Sequence, residues 1–300
     1  MKRLWLLLCP FLLLSACGGA DRNGVETFQE LRNVELTVFA DSSLSDICRT
    51  LAEHYRDAYP GIRLRFQFGS SSALLTRVRD GADCDLFVSA SDTIMDALDN
   101  GGFVSDNSRV KFLENRLVLA VPDGNPRKIR SFAHMASLIR QRGVRLAAAN
   151  IGDPLGAYTQ KLFSYHSLNK AALSRCVSYA LDAKETVTRI RADMVDGGIV
   201  YRTDADGLDI IETADAFMTG DIVYSAAVLS ESRRPLAAMA FLEYLTGPDA
   251  AELFTNAGFT PSATPYGQYG QYWESLVPGE DSPADSVRAE PDPDAEDGFL

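Results

Sequence analysis

The stretch "FADSSLSDICRTLAEHY" (residues 39–55) changes character abruptly at its third residue. An apolar run, "VELTVFA" (34–40), ends on Asp41, Ser42 and Ser43, and a helical pattern begins at once. Leu44, Ile47, Cys48, Leu51, Tyr55 and Ala58 recur at helical spacing until Pro60-Gly61 stops them. "IRLRFQF" (62–68) alternates and reads as a strand, and the serines then return as "GSSS" (69–72) ahead of a short helix closed by Gly81. "DLFVSA" (85–90) and a helix over 92–100 complete a β-α-β-α-β-α order. That order predicts a mostly parallel sheet flanked by helices.

A second block has the same grammar. "RLVLAVP" (116–122), "VRLAAAN" (144–150), "GGIVY" (197–201), "GLDIIE" (207–212) and "DIVYSAAVL" (221–229) read as strands. Helices are expected over 154–166 and 182–195, with two more over 234–259 split at Gly247-Pro248. The pattern predicts an α/β protein of two lobes. Ligands of open α/β sheets sit at the carboxyl ends of strands, where the serine clusters lie.

The chain has 300 residues and a formal net charge of −12, which argues against a nucleic-acid partner. Residues 279–300 hold eight acidic residues and one arginine, and 263–300 read as an acidic disordered tail. At the other end, Lys2 and Arg3 precede the apolar "LWLLLCPFLLL", too short to span a membrane as a mature anchor. It ends in "LSAC" (14–17), which resembles a bacterial lipobox. Residues 1–16 are thus expected to be a lipoprotein signal peptide, Cys17 the lipidated residue, and 17–32 a polar tether outside the cytoplasmic membrane. Cys48, Cys84 and Cys176 remain in the body; a Cys48–Cys84 bridge is one reading and three buried thiols the other.

Serines at helix starts are ordinarily caps. Ser43-Leu44-Ser45-Asp46 fits a capping box with Ser43 as N-cap, and Ser71 or Ser72 is placed to cap the next helix. Asp153-Pro154 and Asp182-Ala183-Lys184-Glu185 mark two further starts. Unpaired N–H groups and the partial positive charge of a helix start also hold anions without Lys or Arg. Hydroxyl residues after two successive strands, in an exported chain, suit a tetrahedral oxyanion held by neutral donors.

Several stretches carry a more specific likeness. "LTVFADSSLSD", "FGSSSALLTRVRDGADCDLFVSASDTIMDAL", "GGIVYRTDA" and "FLEYLTGPDAAELFTNAGF" resemble, in order over about 34–260, the periplasmic molybdate-binding proteins of bacterial ABC transporters. The resemblance implies the two-lobe periplasmic-binding-protein fold, type II. Lobe I would comprise 33–117 and 223–262, and lobe II 118–222. It implies hydroxyl ligands from Ser43, Ser71 and Tyr201 and a backbone N–H from Ala183. Leu155 is the provisional fifth position, in a loop shorter than the usual form. The implied ligand is molybdate, with tungstate beside it. The implied partners are an ABC permease and the membrane, with no further cofactor and a monomeric state. Asp41 departs from the pattern, standing where the family usually has a small neutral residue.

Binding of sulfate, phosphate or a small organic anion is the main alternative. An exported serine enzyme is another, but His54, His134 and His166 lie away from the serine loops in sequence and no Gly-x-Ser-x-Gly turn is present. Neither a metal-ligand spacing nor a P-loop occurs.

Overall fold

The computed structural model describes residues 33–262. The expected signal peptide, Cys17, the tether and the tail from 263 lie outside the described residues. The chain opens with β1 (Val34–Asp41), a single 3-10 turn (Ser42–Leu44) and α1 (Ser45–Ala58). It continues through β2 (Ile62–Gly69), α2 (Ser71–Arg79), β3 (Leu86–Ser89), α3 (Asp92–Asp99) and β4 (Val110–Asn115). The middle block is β5 (Leu117–Val121), α4 (Phe132–Gln141), β6 (Leu146–Ala149), α5 (Pro154–Tyr165), α6 (Lys170–Cys176) and β7 (Val177–Ala180). It ends with α7 (Ala183–Arg191), β8 (Gly197–Tyr201), β9 (Asp209–Thr213) and α8 (Ala216–Thr219). The chain then returns through β10 (Ile222–Val228), α9 (Pro235–Thr246), α10 (Pro248–Asn256) and β11 (Thr260–Pro261).

Two sheets result, ordered β11-β4-β10-β3-β1-β2 and β7-β6-β8-β5-β9. Most strands of each sheet run one way, as expected (β1–β4 in the first, β6–β9 in the second), yet both sheets are mixed. The strands that enter each sheet from the other are the reason. β10 runs antiparallel between β3 and β4, and β5 runs antiparallel between β8 and β9. Only Arg116 separates β4 from β5, so the first crossing is nearly one continuous strand.

The register of β1 on β2 positions the site. The two strands are parallel and paired from Val34↔Ile62 to Asp41↔Gly69, so their carboxyl ends finish level. The Asp41-Ser42-Ser43 turn and the Ser70-Ser71 helix start therefore emerge side by side. Helix α1 holds this end down by burying Ile47, Cys48, Leu51 and Tyr55. The Tyr55 ring lies 4.6 Å from Tyr59 and 4.9 Å from Phe241 of α9.

Strand β4, helix α4 and the α6–β7 pair had no counterpart in the sequence reading. β4 exposes Lys111 and Glu114 beside buried Phe112 and Leu113, a mixed pattern with weak periodicity. The cysteine question is resolved: Cys48, Cys84 and Cys176 are all free and buried. Cys48 belongs to the apolar cluster that holds Val38 and Ala40, whereas Cys84 belongs to the separate cluster that holds Phe39 and Phe87. Alternate residues of β1 point to opposite faces, so the sheet itself lies between those two thiols. Burial pushes the Cys84 thiol up to about 12.

Gly156, in the first turn of α5, packs against the backbone at the end of β6. A Cβ there would overlap the Asn150 carbonyl, whereas one on Gly152 would meet nothing within 4 Å. We expect Gly156→Ala to destabilise the protein by about 1–3 kcal/mol or more, and Gly152→Ala to stay within about 0.5 kcal/mol of the parent. Thermal melts check this; equal midpoints for the two variants would contradict the packing.

Candidate functional site

The two serine loops converge on one group, the Asp41 carboxylate. Its Oδ1 accepts from the Ser43 hydroxyl at 2.7 Å and the Ser43 N–H at 3.2 Å. Its Oδ2 accepts from the Ser71 hydroxyl at 2.6 Å and the Ser71 N–H at 3.1 Å. Asp41 is 1% exposed. This corrects the capping assignments. The side chain capping the first turn is Asp41, not Ser43, and Leu44, the N-cap of α1, makes no side-chain cap bond. Helix α2 is capped by Ser70, whose side chain accepts from the Ala73 N–H, rather than by Ser71 or Ser72. Ser43 and Ser71 are thereby freed from capping and turned toward Asp41. The Ala90 N–H donates to the Ser71 hydroxyl at 3.1 Å, tying in the end of β3.

The second sheet supplies the opposite wall. Asp153 caps α5 as expected, accepting from the Leu155 N–H at 2.9 Å. The N–H at the provisional fifth position is thus already engaged by a neighbouring carboxylate. Ala183 is buried as the first residue of α7, and Asp182 caps that helix by accepting from the Glu185 N–H at 2.9 Å. Tyr201 ends β8 fully buried, and its hydroxyl has no hydrogen-bond partner among the described residues. Lys184 of α7 joins the walls, donating to Asp46 of α1 and to Asp204, each at 2.7 Å. A Ser72 hydroxyl to Gly152 carbonyl contact closes the rim.

Tyr224 went unnoticed in the sequence. Its hydroxyl is 2.9 Å from the Ser43 hydroxyl and accepts from Asn115 Nδ2 at 3.3 Å. Its ring centroid is 6.2 Å from that of Tyr201. The two tyrosines meet because β8 pairs with β5 and β10 with β4, on either side of the Arg116 crossing. A signal existed: "IVY" occurs at both 199–201 and 222–224.

Comparison with known proteins fits this architecture. The family model described as bacterial extracellular solute-binding protein matches residues 36–260. The chain belongs to that family. One relative of this solute-binding protein is YvgL of Bacillus subtilis (strain 168), provisionally named an ABC transporter substrate-binding lipoprotein. It is 28% identical over 256 residues, covering 84% of this chain and 95% of its own. The molybdate-binding protein ModA of Escherichia coli (strain K12) is 30% identical over 240 residues, covering 75% and 89%. The periplasmic molybdate-binding protein of Azotobacter vinelandii shares the fold, with a TM-score of 0.67 at 20% identity over 75% of this chain and 98% of that one. Other names also occur: the sulfate-binding protein SubI of Mycobacterium tuberculosis H37Rv shares the fold at 17% identity (TM-score 0.63; 82% and 92% covered). A protein named aconitate isomerase, from Pseudomonas sp, is 25% identical over 235 residues (75% and 87% covered).

Where its two sheets meet, this solute-binding protein concentrates carboxyl groups away from water. Burial raises the Asp41 pKa despite the bonds from Ser71 and Ser43. Burial, reinforced by the charge of Asp41, pushes Asp153 up to about 8. Burial also raises Asp204, to about 6, against the opposing pull of Lys184. An acid whose folded pKa lies above its unfolded value near 3.9 favours the folded state while protonated. That stabilisation is complete below about pH 4 and is lost as pH rises through the folded pKa. The lowered carboxyls, Asp46, Asp92, Glu185 and Asp196, act below this window. The unliganded protein is therefore expected to melt lower at pH 8.5 than at pH 5. Asp153→Asn, which stays neutral and still accepts from Leu155, should lose less over the same range. A variant-minus-parent difference that does not grow toward pH 8.5 would contradict the raised pKa of Asp153.

Proposed function

We propose that this protein is an exported, lipid-anchored receptor that captures a tetrahedral oxyanion in the interlobe cleft and hands it to an ABC importer. Molybdate is the first candidate and tungstate the second. The observation that carries the reading is the convergence of the Ser43 and Ser71 N–H and O–H groups on a single carboxylate. Four donors that surround a buried anion without a cation are the equipment for selective capture of an oxyanion. Tyr201 adds an uncommitted buried hydroxyl from the second wall, and Ala183 starts a helix there. Ser43, Ser71, Ala183 and Tyr201 are the proposed ligand set, with Leu155 subject to release by Asp153. The name of the ModA relative supports molybdate, and that of YvgL supports the lipoprotein assignment. No cofactor, nucleic acid or catalytic step enters this reading, and one chain binds one ligand. Cys17 carries the anchor, so Cys17→Ala should release the protein from membranes; a variant that stays membrane-bound would contradict it.

A second reading is a small organic carboxylate. The fact that the donors already surround a carboxylate favours it. Calorimetric titration of the purified protein with molybdate, tungstate, sulfate, phosphate and small carboxylates separates the two. We expect micromolar or tighter binding of molybdate and tungstate, with sulfate weaker. Ser43→Ala and Ser71→Ala should each weaken binding roughly ten- to hundredfold, the value of one hydrogen bond to a charged ligand. Heat from carboxylates alone would favour the second reading, and parent-like affinity in both serine variants would move the site elsewhere.

A further inference from the structure

Resting on the oxyanion reading, we propose that Asp41 is the specificity-determining residue of the cleft: an internal anion that competes with the ligand for the serine donors and penalises each negative charge the ligand carries.

The geometry leads there directly. Both Asp41 oxygens are engaged, each by one hydroxyl and one N–H, and these are the same four groups an oxyanion would need from Ser43 and Ser71. A hydroxyl has one proton and an N–H has one proton, so neither serves two anions at full strength. An incoming oxyanion must either displace the carboxylate or share the donors beside it. Above about pH 8, where Asp153 is ionised, displacement leads nowhere favourable. The surrounding wall holds Asp153, whose Oδ2 is buried without a partner, and Asp204, whose Oδ2 is likewise unpartnered. Lys184 is the cation at the rim, and it is already bonded to Asp46 and Asp204. Around Asp41 itself stand the hydroxyls of Ser43 and Ser71, with Tyr224 beyond Ser43. Asp41 therefore stays within a few ångströms of the ligand, in a region of low dielectric. Its repulsion of a dianion is twice its repulsion of a monoanion of the same shape.

Ligand charge can be varied at nearly constant shape. Tungstate and perrhenate are both tetrahedral oxyanions of a third-row metal, with charges of two and one. Calorimetry or competition binding would compare them on the parent, Asp41→Ala and Asp41→Asn. The purified full chain would be used at pH 8.5, to ionise a carboxyl that burial has raised. Asp153, Asp204 and Lys184 are common to all three proteins, so their effect largely cancels in the ratio of the two affinities. We expect both variants to gain tungstate affinity, and the tungstate-to-perrhenate ratio to rise at least about tenfold over the parent. Asp41→Asn keeps the side chain's shape and one acceptor oxygen, so it decides the matter if Asp41→Ala does not fold. A ratio within twofold of the parent in the folded variants would overturn the role of Asp41 while leaving the oxyanion reading intact. Absence of binding by either anion to all three proteins would overturn both.

Discussion

The buried Asp41 carboxylate constrains everything near the cleft. A carboxylate without a cation, taken out of water, costs several kcal/mol unless its lone pairs are filled. Here they are filled by two N–H and two O–H groups from Ser43 and Ser71. Those groups reach Asp41 only if β1 and β2 end level, which their register provides. A slip of one residue would turn the β1 side chains to the wrong faces and leave the carboxylate bare. The same network reaches β3 through Ala90 and β10 through Tyr224, so four elements of the first sheet are tied to one side chain.

The second sheet closes on that network rather than building a separate site. Asp153, Ala183 and Tyr201 come from the start of α5, the start of α7 and the end of β8, the strand and helix ends that face the serine loops. The Lys184 pair with Asp46 and the Ser72 contact with Gly152 join the two walls. The two walls are thus in direct contact. Rotation about the Arg116 crossing and the 214–221 return would separate the walls without breaking either sheet.

Much of this was legible in the residues. The β1–α1–β2–α2 order, the helix start at Asp153-Pro154, the Asp182 start and the strand at 197–201 all followed from local pattern, because capping chemistry and periodicity are local properties. The mixed sheets were not legible, since strand direction is set by where β5 and β10 cross. Nor was the cap assignment: choosing among Asp41, Ser42 and Ser43 requires knowing what faces them 30 residues away. The departure at Asp41 was visible in sequence as an anomaly. Its consequence, a carboxylate seated among the expected ligand donors, required the fold.

The Ser43 and Ser71 donors that hold Asp41 are proposed to serve an external anion as well. A crystal structure grown with tungstate tests it most directly, because the anomalous signal of tungsten locates the ion independently of the protein model. One tungsten peak per chain is expected, with its oxygens within hydrogen-bond distance of the Ser43 and Ser71 hydroxyls and of Tyr201, and at least one Asp41–serine bond broken or lengthened. A tungsten peak away from both serine loops, with all four Asp41 bonds intact, would contradict it.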